Sequence, residues 1–146
     1  MGAFCADPNN KRMTLLESCV TVAIISVTTI TAVPSLIRAR ENYALDATAR
    51  QVAGNMQMAR MKAVSRNRDY RLRVTSTASY MIECEDPSWR PDEIVFIPGG
   101  FRIAANASPQ FHRRGNASPA ATITVWNNSG RSKRIIVNIT GRIRVE

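Results

Sequence analysis

The chain has 146 residues, 45% of them hydrophobic and 21% charged, which suits one folded domain and excludes a disordered chain. Its 20 Lys and Arg against 11 Asp and Glu leave a net charge of +9, a balance that attracts polyanions. Three cysteines and one histidine exclude a disulfide-stapled scaffold and a multi-histidine metal centre. No P-loop, G-x-G-x-x-G, G-x-S-x-G or H-E-x-x-H motif is present, so no catalytic residue, metal site or cofactor is expected. Binding or assembly is the expected function, not catalysis.

The chain opens on 12 mostly polar residues, MGAFCADPNNKR. From Leu15 to Ile37 it then reads LLESCVTVAIISVTTITAVPSLI, 23 residues with one charge, Glu17. As a helix this segment would be about 34 Å long, enough for a hydrocarbon core of about 30 Å. Its length and its polar prelude do not suit a cleavable secretory signal. A carboxylate inside such a segment is costly. Glu17 therefore reads as functional, either snorkelling to the interface or neutralised by a cationic group on a neighbouring subunit.

After Pro34 the helix is expected to continue. Leu45, Ala49, Val52, Met56, Ala59 and Ala63 recur at spacings of three and four, one face of an amphipathic helix ending near residues 66–69. From Tyr70 the period changes to two. Leu72 and Val74, Tyr80 and Ile82, residues 94–97, residues 101–104, Ile123 and Val125, then Ile135, Val137 and Ile139, and last Ile143 and Val145 read as strands with buried rows. Pro98-Gly99-Gly100 reads as a turn. The fold class is α+β: one long N-terminal helix packed on an antiparallel β-sheet domain.

Charge is unevenly distributed along these elements. Residues 38–73 carry nine basic and three acidic side chains, residues 83–93 five acidic and one basic, and residues 102–146 eight basic and one acidic. In the last strand Ile143 and Val145 face inward, so Arg142 and Arg144 point outward together, about 7 Å apart. Arg131, Lys133 and Arg134 lie near the tip of the preceding hairpin. Five cations are thus candidates for one surface, and arginine forks suit phosphate oxygens without base reading. A solvated strand face, or contact with an acidic neighbour, explains the same residues. His112 reads as a solvated loop residue, and Trp89 and Trp126 as packing residues rather than base-stacking platforms.

Lys11-Arg12-Met13-Thr14-Leu15-Leu16-Glu17, followed by an apolar helix, resembles the type III signal of type IV pilins and type II secretion pseudopilins. The resemblance implies that residues 1–12 form a leader cut by prepilin peptidase, with Met13 the N-methylated first residue and Glu17 the fifth. Pro34 stands where pilins often carry a helix-kinking proline. The family has glycine just before the cut, and this chain has Arg12 there. Arg12 and Met13 are thus the processing candidates and Glu17 the assembly residue, pairing with a neighbour's N-terminal amine.

The C-terminal half resembles the GspH/FimT-like minor pilins in its Phe111-to-Gly115 segment, the ATITVW run, Asn127-Asn128-Ser129-Gly130, the RIIVNI run and the terminal Gly141-Arg142-Ile143-Arg144. The implied organisation is a leader at 1–12, a transmembrane and assembly helix at 13–37, its amphipathic continuation at 38–69, and a periplasmic β-rich domain at 70–146. The chain would be a single-pass protein of a bacterial inner membrane, incorporated in a pilus or pseudopilus among other pilins. In FimT-like proteins the G-R-x-R segment is associated with DNA capture during natural transformation. By resemblance Arg142 and Arg144 take the phosphate backbone of double-stranded DNA, supported by Lys133, Arg131 and Arg134. The alternative is a structural minor pilin or pseudopilin that initiates or caps the filament without DNA.

Overall fold

One helix, α1 (Leu15–Arg66), begins the computed structural model, which describes residues 14–146, and the side chains of 31 and 32 are left aside. The leader, Arg12 and Met13 lie outside the described residues. Thr14 caps the helix, its Oγ1 accepting the backbone N–H of Glu17 at 3.3 Å. The hydroxyls of Thr21, Ser26, Thr28 and Thr29 donate to carbonyls three or four residues back, at 2.7 to 3.0 Å. These four alcohols are therefore satisfied inside their own helix, which lowers the cost of placing them in hydrocarbon. Leu15, Val22, Ile24, Ile25 and Leu36 are exposed, and the segment is long and apolar enough to cross a membrane.

The chain divides after Ala39 into two units, the second being Arg40–Glu146. In this second unit the expected stripe is buried throughout: Leu45, Ala49, Val52, Met56, Ala59 and Ala63. The alanines leave room for strands to approach the helix axis, while Met58 and Met61 stay exposed. Asn67, at φ 52°, ends the helix, and the Arg68 N–H returns to the Ala63 carbonyl at 3.2 Å, closing the last turn.

Nine strands follow: β1 (Tyr70–Ser76), β2 (Ser79–Asp86), β3 (Ser88–Phe96), β4 (Phe101–Ala105), β5 (Gln110–Phe111), β6 (Ala117–Ser118), β7 (Ala121–Asn127), β8 (Ser132–Val137) and β9 (Ile143–Val145). They form two sheets, ordered β3-β2-β1-β5-β6 and β4-β7-β8-β9, with every pair antiparallel. Tyr70, Leu72, Tyr80, Ile82 and Phe111 from the first sheet join Ile103, Ile123, Val125, Ile135 and Val137 from the second in one core with the helix stripe.

Two details depart from the periodicity. Ile139 is 62% exposed instead of continuing the buried row of Ile135 and Val137. The reason is that β8 stops at Val137 and residues 138–141 turn, with the Gly141 N–H on the Asn138 carbonyl at 2.8 Å. β3 also begins earlier than the apolar run 94–97, at Ser88. Pairing with β2 along the acidic stretch, Glu85 opposite Trp89 and Glu83 opposite Pro91, carries strand structure where side-chain pattern carries none.

Candidate functional site

The last hairpin sets the geometry of the terminal motif. Gly141 adopts φ +78°, which glycine alone takes at little cost, and the Asn138 N–H closes on the Arg142 carbonyl at 2.9 Å. A side chain at Gly141 would collide with the Gly115 carbonyl oxygen and lie 2.9 Å from Arg60 Nε. Arg60 Nε in turn donates to that carbonyl at 2.7 Å. The helix, the loop at 112–115 and the start of β9 are thereby locked together through two glycines and one guanidinium.

Beyond that lock, Ile143 and Val145 pack against the core while Arg142 and Arg144 are exposed. Among the described residues neither guanidinium has a hydrogen bond or an ion pair. β9 pairs with β8 in the register Val137 to Ile143 and Ile136 to Arg144, and Arg134 exchanges both backbone hydrogen bonds with Glu146 at 2.9 and 2.8 Å. Arg134 therefore shares the outer face with Arg142 and Arg144, diagonally about 7–8 Å from Arg144. Glu146 is the carboxylate beside them, and its side chain pairs with none of the three among the described residues.

The other two expected cations are placed elsewhere. Lys133 alternates with Arg134 and so lies on the opposite face of β8, with its Nζ 3.7 Å from Asp46 Oδ1 on the helix. Arg131 donates from its backbone N–H to Asn127 Oδ1 at 2.8 Å and from its guanidinium to Asn42 Oδ1. Ser129 donates to Glu41 at 2.7 Å. The β7–β8 tip is thus tied to the helix. The five cations do not share one surface, because strand alternation divides Lys133 from Arg134 and the tip folds toward residues 41–46. The hydrogen bond from Arg50, with Lys133 adding its charge, holds Asp46 below the usual carboxylate range against the opposing effect of desolvation.

The register adds an arginine that chain position does not reveal. β4 pairs with β7 so that Arg102 stands opposite Trp126, on the same outer face as Thr124 and Arg134. Alternation with buried Ile103 predicts that Arg102 points outward. Its alignment with the terminal motif requires the strand order β4-β7-β8-β9.

At the helix end and on β1, Lys62, Arg66, Arg68, Arg71 and Arg73 are matched by carboxylates. Arg71 donates to Glu83 and lies over the Trp89 ring, 4.2 Å from its centroid, and Arg73 Nη1 is 3.8 Å from the same carboxylate. Lys62 Nζ is 2.8 Å from Asp92, Arg66 is 3.6 Å from it, and Arg68 pairs with Asp86. Trp89 thus packs at the sheet edge, as expected.

His112 departs from its reading as a solvated loop residue: its Nδ1 lies 2.7 Å from Asp69 Oδ2. Gln110 donates to the same oxygen at 3.0 Å and the Arg113 N–H to Oδ1 at 3.3 Å. Burial pushes the Asp69 carboxyl up, but the hydrogen bonds from His112 and Gln110 and the His112 and Arg113 interactions outweigh it and leave the carboxyl lowered. At the other end of the chain, Glu17 is exposed, and among the described residues its carboxylate has no partner in the chain.

The profile of the GspH family, type II transport protein GspH, matches residues 48–141, which include the locking glycines and the first residue of the terminal motif. The chain belongs to the GspH family. Its fold is similar to that of the minor pseudopilin EpsH from the type 2 secretion system of Vibrio cholerae, with TM-score 0.62, 10% identity, and coverage of 73% of this chain and 97% of that one. It is similar too to the type IV minor pilin FimU of Pseudomonas aeruginosa, with TM-score 0.61, 19% identity, and coverage of 73% and 90%. No curated protein matches the chain by sequence. This GspH-family chain therefore shares the fold of the minor pilin and the pseudopilin it matches, with antiparallel sheets following a long N-terminal helix whose start is apolar.

Proposed function

We propose that this chain is a minor type IV pilin whose domain of residues 70–146 lies in the periplasm and binds double-stranded DNA without sequence preference, supporting DNA uptake in natural transformation. The observation that carries the reading is the outward, unpaired state of Arg142 and Arg144 on a strand whose start is locked by Gly141. Arg134 stands beside them. Lys133 and Arg131 contribute through their charge at the rim, not as direct phosphate ligands. Three guanidinium groups with no carboxylate bound to them suit a row of phosphates, which needs charge and fork geometry but no base-edge reading. Residues 13–37 anchor the chain in the inner membrane. Prepilin peptidase would cut between Arg12 and Met13, and Glu17, whose carboxylate has no partner among the described residues, would pair with the new N-terminal amine of a neighbouring pilin.

The test is a salt-titrated duplex-binding assay on the full chain in nonionic detergent. Binding in the micromolar range at low salt, weakening steeply as salt rises, is expected. Arg142→Gln with Arg144→Gln should lower the affinity at least about 30-fold and flatten the salt slope by about 2. An unchanged slope removes the assignment. The second reading is a structural subunit that initiates or caps a pseudopilus without DNA. The match to a family named for type II transport favours it, and it is the one that stands if the parent chain binds no duplex at low salt.

A further inference from the structure

A cleft of about 400 Å³ opens at the β4 edge of the second sheet, lined by Thr77, Arg102, Trp126, Asn127, Asn128 and Gly130 among others. Its size falls within the range of small-ligand sites, about 300–1,000 Å³. Two side chains of the wall share the outer face and differ in chemistry. Trp126 is half-buried and leaves part of its indole toward the outer face. Arg102 is exposed directly across the strand pair from it, and among the described residues its guanidinium has no ion pair.

We propose that this cleft takes one unpaired nucleotide of DNA, with the base against Trp126 and the phosphate on Arg102. The proposal rests on the DNA reading above and deepens it. An indole beside a free guanidinium on a sheet face is the combination that holds single strands, because every base has a π-face and every linkage a phosphate. A base-paired duplex cannot occupy the site, since its base faces are stacked on one another. It would still track Arg134, Arg142 and Arg144 on the same face, so the cleft would receive the frayed or single-stranded end of a strand whose duplex part lies on the terminal motif.

The experiment uses the full chain in nonionic detergent, carrying Trp89→Phe so that Trp126 alone reports by fluorescence. Titration with a short oligothymidylate should quench Trp126, and a blunt-ended duplex of equal length should not. Trp126→Ala, made in the natural background, should lower oligothymidylate affinity about 10-fold, within the about 1–3 kcal/mol expected for one stacked base, and leave duplex affinity within about 2-fold. Arg102→Gln should lower oligothymidylate affinity similarly and keep the fold, judged by its melting temperature. Trp126 emission that oligothymidylate leaves unmoved overturns the proposal, and so does equal loss of both ligands in Trp126→Ala. If duplex binding depends on Arg142 and Arg144 while Trp126 is silent to oligothymidylate, the cleft fails and the duplex reading stands. If oligothymidylate quenches Trp126 but no duplex binds, the cleft stands and the duplex reading fails. Emission that responds only to protein concentration assigns the cleft to a second copy of the chain and overturns the proposal.

Discussion

Two basic regions of this molecule have similar composition and opposite electrostatic states. At the helix end and on β1, Lys62, Arg66, Arg68, Arg71 and Arg73 each face Asp86, Asp92 or Glu83. On β8 and β9, Arg134, Arg142 and Arg144 face no bound carboxylate among the described residues. Net charge alone would direct a polyanion to either. The difference teaches that the count of cations matters less than how many are already matched, since only an unmatched guanidinium releases counterions usefully when it meets a phosphate.

The contrast can be broken most severely at Gly141. Gly141→Val would force a Cβ into the Gly115 carbonyl and a β-branched residue into positive φ. It should cost about 3 kcal/mol or more, read as a drop in melting temperature of more than about 10 °C. Arg60→Met should cost less, about 1–2 kcal/mol, because it removes the hydrogen bond to Gly115 and leaves the backbone conformations allowed.

Asp69 anchors the boundary between the helix and β1. Its carboxyl is lowered from the ordinary 3.8 in the folded chain. A lowered folded value means that its stabilisation is complete above the unfolded value and is lost as pH falls through the folded one. Asp69→Asn should therefore destabilise the chain by about 1–2 kcal/mol at pH 7, with the difference from the parent shrinking below about pH 3.8. Urea melts at the two pH values check it, and a pH-independent difference contradicts the assignment.

The comparison is sharpened by converting the matched region into an unmatched one. Glu83→Gln with Asp92→Asn releases Arg71, Arg73 and Arg66 from their carboxylates and leaves Lys62 only the more distant Glu93, at 3.6 Å. Duplex affinity at low salt should rise about 3- to 10-fold, with a salt slope steeper by about 1–2, if free cations are what phosphates need. The smallest effect is expected at the hairpin tip. Lys133→Gln with Arg131→Gln should weaken duplex binding less than about 3-fold, because Lys133 sits beside Asp46 and Arg131 on Asn42. A loss as large as that of the Arg142 and Arg144 variant would return these two residues to the phosphate-binding face.

Part of this arrangement is legible without coordinates. The stripe from Leu45 to Ala63 predicts its own burial, since a helix places residues three and four apart on one face. Strand alternation puts Arg142 and Arg144 outside in the same way, because neighbours on one strand must point to opposite faces. The same rule, applied to β8, already separates Lys133 from Arg134. Lys133 and Arg134 are adjacent along the chain but lie on opposite faces of the sheet. Ile139 leaves the buried row because an apolar residue in a turn continues the strand's period without continuing its ladder.

By itself, then, the sequence determined the apolar helix start with Glu17 near its beginning, the periodic elements and the outward aim of the terminal arginines. These depend only on helical and strand geometry over a few residues. Which cations are matched was decided by tertiary structure alone. Lys62 and Asp92, or Lys133 and Asp46, are far apart in the chain and meet only when the helix lies on the sheets. The same holds for the alignment of Arg102 and Trp126 with β9. Strand order and register are set by packing of the whole core, and no local period encodes them.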